Sequence, residues 1–176
     1  VLERMGERTH EALLAVMGEK GKDWYIYRNC IELLGKTDAK GAIPEIERFL
    51  KHWNGKVREA AAVALYSLVG PIVWRDLIDL LNDNEWRVQR RILVILGDAK
   101  CRDQRFLDHL GTIVASAGAE ENGPAEPLVL VTLDVISGIG DFKTGKDELV
   151  SDLLLDLLFA GRAKLLKRIF KKNRVT

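Results

Sequence analysis

A repeat of 31 residues constrains the fold of this 176-residue chain more than any other feature. Three segments align on a valine or isoleucine that is followed eight residues later by a leucine: IYRNCIELLGKTD (26–38), VREAAAVALYSLV (57–69) and VQRRILVILGDAK (88–100). Apolar or small residues occupy most positions of each segment, which is typical of an α-helix covered on several sides. A unit of this length cannot bury its own apolar face, so the period predicts a stack of similar units.

A second amphipathic segment follows each of these helices. Residues 43–52 and 74–83 carry apolar side chains at i, i+3, i+6 and i+7, which places one stripe inward and leaves the acidic residues outside. Residues 106–116 repeat the pattern. We therefore predict an all-α chain that forms a right-handed alpha-alpha superhelix of about four helical pairs. A single domain, 1–176, would contain pairs at approximately 23–53, 54–84, 85–117 and 126–160, with flanking helices at 2–18 and 162–172.

The middle repeat indicates most directly what stacking requires. Its segment KVREAAAVALYSLVG (56–70) has little polar surface and contains four closely spaced alanines: Ala60, Ala61, Ala62 and Ala64. A helix that lies between its own partner and both neighbouring repeats is covered on nearly every side, and alanine lets helices approach closely. We therefore expect this segment in the middle of the stack.

Residues that flank the helices predict how each one begins and ends. Three polar residues share one register before the first helices and are predicted N-caps: Asp23, Asn54 and Glu85. Three glycines occupy positions where a left-handed C-cap is expected: Gly35, Gly97 and Gly140.

The most complete copy of the repeat resembles the HEAT repeat. It reads V-R-x-x-A-x-x-A-L over five positions: Val57, Arg58, Ala61, Ala64 and Leu65. The short period is similar to that of the bacterial subgroup of phycobilisome-lyase-type HEAT-like repeats, and L-L-G-K-T-D (33–38) resembles that subgroup's helix-ending turn. The resemblance covers about residues 10–160 and implies a solenoid. The chain departs from the family at Tyr27 and Gln89, where arginine is usual.

Cysteine content and hydropathy indicate the compartment. Cys30 and Cys101 lie 71 residues apart in apolar helical contexts, so we expect buried, reduced thiols and a cytoplasmic protein. The apolar stretch PLVLVTL (127–133) is far shorter than the roughly 20 residues of a membrane span, so we expect no membrane partner. The chain begins at Val1 rather than at Met, which suggests a fragment or a processed product.

The sequence contains none of the common catalytic or phosphate-binding motifs. GIGDFKTGK (138–146) lacks the spacing of a phosphate loop, and His10, His52 and His109 share no short spacing that would indicate a metal site. We expect no catalytic residue, no cofactor and no metal, and we interpret the three histidines as surface or helix-end residues.

These observations favour a non-catalytic scaffold that presents a curved helical surface to another protein. Acidic residues recur on the second helices, and Glu45 and Asp76 are one period apart. We predict a partner-binding acidic strip composed of Glu45, Asp76, Asp79 and Asp108, which would suit a partner that presents Lys or Arg. We expect a monomer.

The family resemblance leaves two further functions open. Lyases that attach bilins to phycobiliproteins share this repeat type, so the chain is alternatively a bilin lyase or a lyase-like chaperone subunit. Some bacterial DNA glycosylases also use HEAT-like stacks, with tryptophans in a basic groove. Because the second helices here are acidic and Trp24 and Trp86 are two periods apart, packing between repeats is favoured over base stacking, and we expect no nucleic-acid partner.

Charge is concentrated toward the end of the chain. Residues 101–160 carry 4 Lys and Arg against 11 Asp and Glu, whereas residues 161–176 carry 7 against none. AKLLKRIF (163–170) has the pattern of an amphipathic helix, which predicts a helix that caps the stack, with a membrane-surface or acidic-partner helix as the alternative. The corresponding basic terminal patch consists of Lys167, Arg168, Lys171 and Lys172.

Overall fold

The computed structural model describes residues 2–116 and 125–139, and every regular element in these ranges is helical, which confirms the predicted all-α class. The α-helices are α1 (Leu2–Gly18), α2 (Trp24–Lys36), α3 (Ile43–Arg48), α4 (Gly55–Val69), α5 (Trp74–Leu77), α6 (Trp86–Asp98), α7 (Gln104–Ser116) and α8 (Ala125–Ile139). The chain forms two compact units, Val1–Ile95 and Leu96–Thr176. The predicted flanking helix at 162–172, the end of the predicted pair at 126–160 and Gly140 lie outside the described residues.

The core of the first unit is the packing of α2 against α4. The leucines that recur one period apart, Leu34 and Leu65, are fully buried, and so is Val57 at the start of α4. The alanine run is buried as well, with Ala61 and Ala62 at 0 % exposure. Because α4 contacts α2 on one side and α3 on another, its side chains meet protein on most faces, which confirms the reason inferred for its composition.

The second helices are shorter than the predicted 43–52 and 74–83. After α3 the chain tightens into a 3₁₀ turn at Phe49–Lys51, and after α5 into a 3₁₀ turn at Ile78–Asn82. The reason is present in the apolar spacing, since side chains at i, i+3 and i+6 align on one face when there are three residues per turn. Ile46 and Leu77 remain fully buried despite the change.

The prediction of left-handed caps at Gly35 and Gly97 is wrong. Both glycines lie inside helices, and the described non-glycine residues with positive φ are Asp38 and Lys100, three positions after each glycine. Gly35 is instead required by close approach, because a Cβ placed there would lie 2.8 Å from the Cβ and 2.9 Å from the Cα of Ala64. Gly35 and Ala64 therefore set the distance between α2 and α4.

We expect Gly35→Ala to lower the free energy of unfolding by about 1–3 kcal/mol, because backbone atoms of α4 would have to move to admit the methyl group. Gly6→Ala is the control: Gly6 lies inside α1, and a methyl group added there would have no atom of another residue within 4 Å, so alanine should stabilise by up to about 1 kcal/mol. Urea unfolding followed by circular dichroism measures both. Equal effects of the two substitutions would refute the close approach.

The three predicted N-caps behave differently. Asn54 is confirmed, because its side-chain oxygen accepts a hydrogen bond from the Lys56 backbone N–H at 2.9 Å. Asp23 has the extended backbone of an N-cap, but its carboxylate accepts from the Tyr25 hydroxyl instead. Glu85 accepts from the Gly55 N–H at 2.8 Å, so its carboxylate lies at the N-terminus of the helix in the preceding repeat. A residue predicted to cap its own helix thus serves a neighbouring one.

Arg58 is the charged residue buried in the described part of the first unit, at 6 % exposure. Its guanidinium donates to both carboxylate oxygens of Asp83, at 2.6 and 2.7 Å, and to the carbonyl oxygens of His52 and Trp53. Such bidentate pairing is the strongest geometry available to arginine. The cluster links the turn before α4 to the turn before α6, and therefore joins two successive repeats.

The residues at the equivalent positions, Tyr27 and Gln89, replace this contact by uncharged ones. The Tyr27 hydroxyl donates to the Glu19 carbonyl at 2.6 Å, and the Gln89 amide donates to the Asp83 carbonyl. Each side chain therefore bonds a carbonyl oxygen of the turn that precedes its own helix, as Arg58 does. The departures from the family pattern preserve the hydrogen bond to the turn while removing the charge.

Replacing Arg58 by methionine should lower the free energy of unfolding by about 3–5 kcal/mol, because the side chain of Asp83 would be left charged and buried. Arg91→Met is the matched control, since the pair between Arg91 and Glu59 is solvent-exposed and should contribute no more than about 1 kcal/mol. Chemical denaturation of both variants measures the difference. If Arg58→Met lowered the free energy of unfolding by no more than Arg91→Met does, the buried cluster would not hold the repeats together.

In the second unit, α7 packs against α8. Phe106 and Leu110 of α7 are fully buried, and Ile136 of α8 is 2 % exposed. Gly97 repeats the role of Gly35, because a Cβ there would lie 2.9 Å from the side chain of Val135. The same device, a glycine in one helix facing a small or branched residue in another, therefore occurs in both units.

Candidate functional site

The first unit contains an open cleft of about 300 Å³, at the lower limit of volumes typical of ligand sites. One wall is formed by the end of α1 and the turn after it, at 17–20. The other walls are formed by Tyr27 of α2, by Glu45 and Arg48 of α3, and by the 3₁₀ turn that carries Phe49. His52 completes the lining.

A row of aromatic rings runs from this cleft to the protein surface. The ring centroid of Phe49 lies 5.3 Å from that of Tyr27 and 5.9 Å from that of His52, with the latter pair stacked. His52 in turn lies 5.5 Å from Trp53, whose side chain is among the most accessible in the described residues, with 75 % exposure. Rings at these separations form favourable aromatic pairs. We call these four residues the aromatic row.

The cleft is bordered by charges that are only partly neutralised. Arg48 donates one N–H to Glu45 at 2.8 Å, but its side chain is 76 % exposed and retains further donors. Lys20 is exposed, and no carboxylate lies within ion-pair distance of it among the described residues. Spare cationic donors and a stacked aromatic surface therefore meet at the same opening.

The two ring nitrogens of His52 have different roles. Its Nδ1 accepts a hydrogen bond from the Asn54 backbone N–H at 3.1 Å, which assigns the ring proton to Nε2. Burial lowers the pKa of His52, and the nearby positive charge of Arg58 acts in the same direction. The sequence predicts this histidine at a helix end, where it is found, but nothing in the sequence indicates that it is a half-buried, stacked member of a cleft.

The lowered pKa of His52 predicts a pH dependence of stability. The unfolded chain binds the proton more readily than the folded chain. The contribution of His52 to the free energy of unfolding is therefore complete above the ordinary histidine pKa and is lost as pH falls below it. The free energy of unfolding should therefore fall between about pH 7 and pH 5, and the fall should be smaller in His52→Asn, whose amide oxygen can still accept the N–H of Asn54. Urea titrations at both pH values test this. Identical slopes for the two proteins would contradict it.

The members of the predicted acidic strip occupy different environments. Asp76 and Asp79 are exposed in the first unit, whereas Glu45 is half-buried and paired with Arg48 at the cleft. Asp108 lies in the second unit, where its carboxylate accepts from the Gln104 amide. The strip stays a prediction. Its most accessible positions in the first unit are Asp76 and Asp79. The basic terminal patch, Lys167, Arg168, Lys171 and Lys172, lies outside the described residues.

Trp24 takes part in a contact between repeats. The Lys56 ammonium, at the start of α4, lies 4.8 Å from the centroid of its ring, and the Arg28 guanidinium lies 5.5 Å from it. Trp86 has its own cation, since the Arg87 guanidinium lies 5.6 Å from its ring centroid. Lys56 thus bridges one repeat to the next, which is the packing role that the spacing of Trp24 indicated.

Both cysteines of the chain are buried and free, and burial raises the pKa of each thiol. A thiol in this environment is protonated at neutral pH and is a poor nucleophile. Within residues 2–116 and 125–139, no three His, Cys, Asp or Glu side chains are grouped as a metal site requires, and no helix is long and apolar enough to cross a membrane.

The fold of the described residues defines an α-helical repeat protein. The family model for HEAT repeats matches residues 11–97, the part that contains the first repeats and the cleft. Residues 11–97 therefore contain HEAT repeats, as the pattern around Arg58 indicated.

Curated relatives make the resemblance more specific. The chain is 37% identical over 108 residues to the phycocyanobilin lyase subunit alpha of Picosynechococcus sp., an alignment covering 54% of this chain and 40% of the relative. It is 43% identical over 68 residues to the protein of the same name from Thermosynechococcus vestitus, covering 38% and 25%. For the protein from Nostoc sp. the identity is 36% over 103 residues, covering 57% and 32%. The chain thus spans well under half the length of these relatives.

Proposed function

We propose that this chain acts as a bilin-lyase-like subunit, whose contribution is to bind a protein that carries or accepts a bilin. The observation that carries the proposal is the similarity to phycocyanobilin lyase alpha subunits over about half of the chain. The lack of a catalytic motif and the protonated state of both thiols support a binding role. Repeat stacks of this kind present extended surfaces to partners.

The second helices are the surface we assign to this partner. Asp76 is in the first turn of α5, and Asp79 is in the first turn of the 3₁₀ segment that follows. Both carboxylates are exposed, and the first unit positions them on a rigid scaffold through the buried Leu77 and Ile78. Exposed acidic groups on such a surface favour a partner with a basic patch and mainly accelerate association.

The test is binding to a phycobiliprotein subunit produced without its bilin, measured by analytical size exclusion and calorimetry. We expect a complex, and we expect Asp76→Lys with Asp79→Lys to weaken it by about 10-fold or more through charge reversal. The control is Glu7→Lys with Glu11→Lys, which makes the same change of charge on the exposed face of α1 and should leave the affinity unaltered. Added salt should reduce the difference between the two variants.

Absence of a complex at protein concentrations of about 50 μM, where a dissociation constant in the micromolar range would be detected, would refute the proposal. If both double variants weaken the complex equally, the lyase-like function stands, but the acidic face formed by Asp76 and Asp79 is not its binding surface.

A further inference from the structure

The cleft and the aromatic row form a second surface, chemically different from the acidic one. Its floor is aromatic, its rim carries cationic donors, and its indole at Trp53 is exposed to solvent. The Trp53 ring contacts the half-buried ring of His52 in a tilted arrangement, and this contact orders the indole, so less entropy is lost when a partner covers it. These features are typical of an anchor pocket at a protein interface.

The size of the cleft indicates the kind of occupant. A volume of about 300 Å³ lies at the lower limit for a whole small-molecule ligand. It suits a single aromatic side chain together with an adjacent acidic group. The ring of the aromatic side chain can pack on Phe49 and His52, and the Nε2–H of His52 is available as a hydrogen-bond donor.

The charges at the rim of the cleft favour an acidic occupant over a basic one. The carboxylates beside the cleft, Glu19 and Glu45, are already paired with Lys22 and Arg48, each at 2.8 Å. The ammonium of Lys20 and the remaining N–H groups of Arg48 are the unneutralised groups at the rim among the described residues. A carboxylate from a partner would complete their pairing, whereas a lysine or arginine would be repelled.

We propose that this cleft is a docking site for an acidic peptide segment that carries an aromatic side chain. The aromatic side chain enters the cleft against the aromatic row, and the flanking carboxylates meet Lys20 and Arg48. Trp53 covers the segment from the outer side. This surface is separate in chemistry from the acidic face formed by Asp76 and Asp79, so one scaffold offers two sites of opposite charge preference.

The probe is a fluorescein-labelled peptide, EDWDE, measured by fluorescence polarisation against the full chain. We expect it to bind at least 10-fold more tightly than EDADE, which lacks the ring, and than QNWNQ, which lacks the charge. Both Trp53→Ala and Arg48→Ala should remove most of the binding. Trp86→Ala and Arg87→Ala are the matched controls, because they remove an exposed tryptophan and an exposed arginine that neither line the cleft nor belong to the aromatic row.

Each outcome is decisive. Equal binding of EDWDE, EDADE and QNWNQ would overturn the proposal, and so would equal losses in the cleft variants and the control variants. Biliverdin binding is measured separately by its absorbance: if biliverdin binds through Trp53 and Arg48 while EDWDE does not bind, the cleft is a small-molecule site and the peptide proposal is wrong. Circular dichroism of each variant verifies folding. The proposed function is tested with a different partner and different variants, so the two can fail independently.

Discussion

The hydrogen-bonded cluster of Arg58 is the interaction on which the arrangement of the first unit depends. A guanidinium at 6 % exposure is stable only because Asp83 neutralises it and the carbonyl oxygens of the preceding turn accept its other N–H groups. The partners come from two successive repeats, so the charge is satisfied only when both are in place. The nearby bond from Gly55 to Glu85 has the same consequence. These hydrogen bonds thus hold the turn before α4 beside the turn before α6.

Close contact between helices supplies the rest of the stability. Gly35 brings α2 against Ala64 of α4, and the alanines of α4 leave room for the surrounding elements. Small residues permit a short distance between helix axes, and the large side chains at Leu34 and Leu65 then fill the space between them. Neither helix has an apolar face that its own pair could bury, so packing and the polar cluster act together.

Much of this arrangement can be predicted from the sequence because it follows from a period. The step of 31 residues places Leu34, Leu65 and Val57 in the core, and the alanine run places α4 among other helices. The roles of Gly35 and Gly97 cannot be predicted in this way, since a glycine near a helix end is equally consistent with a C-cap and with a close contact between helices. The 3₁₀ turns escape prediction because a helix and a tighter turn share the i, i+3 spacing.

The cleft cannot be predicted for a different reason. Tyr27, Phe49 and His52 come from separate elements, and the sequence shows each one in an ordinary structural position. Tyr27 is recognisable as a departure from the arginine of the family pattern, but its role follows from the hydrogen bond to the Glu19 carbonyl, which orders the turn that forms one wall. The i, i+3 and i+4 spacing of residues 49, 52 and 53 indicates that their rings can be neighbours, but not that these rings border a cleft.

The central claim is that a helical pair in the first unit has no interior of its own and is stable only against its neighbours. Native-state hydrogen exchange in low urea, read by mass spectrometry, tests this most directly. If the claim is right, the amides of α2 and α4 exchange through one cooperative opening with a common free energy and a common dependence on urea. If α2 opens at much lower free energy while α4 remains fully protected, the two helices do not depend on each other and the claim is wrong.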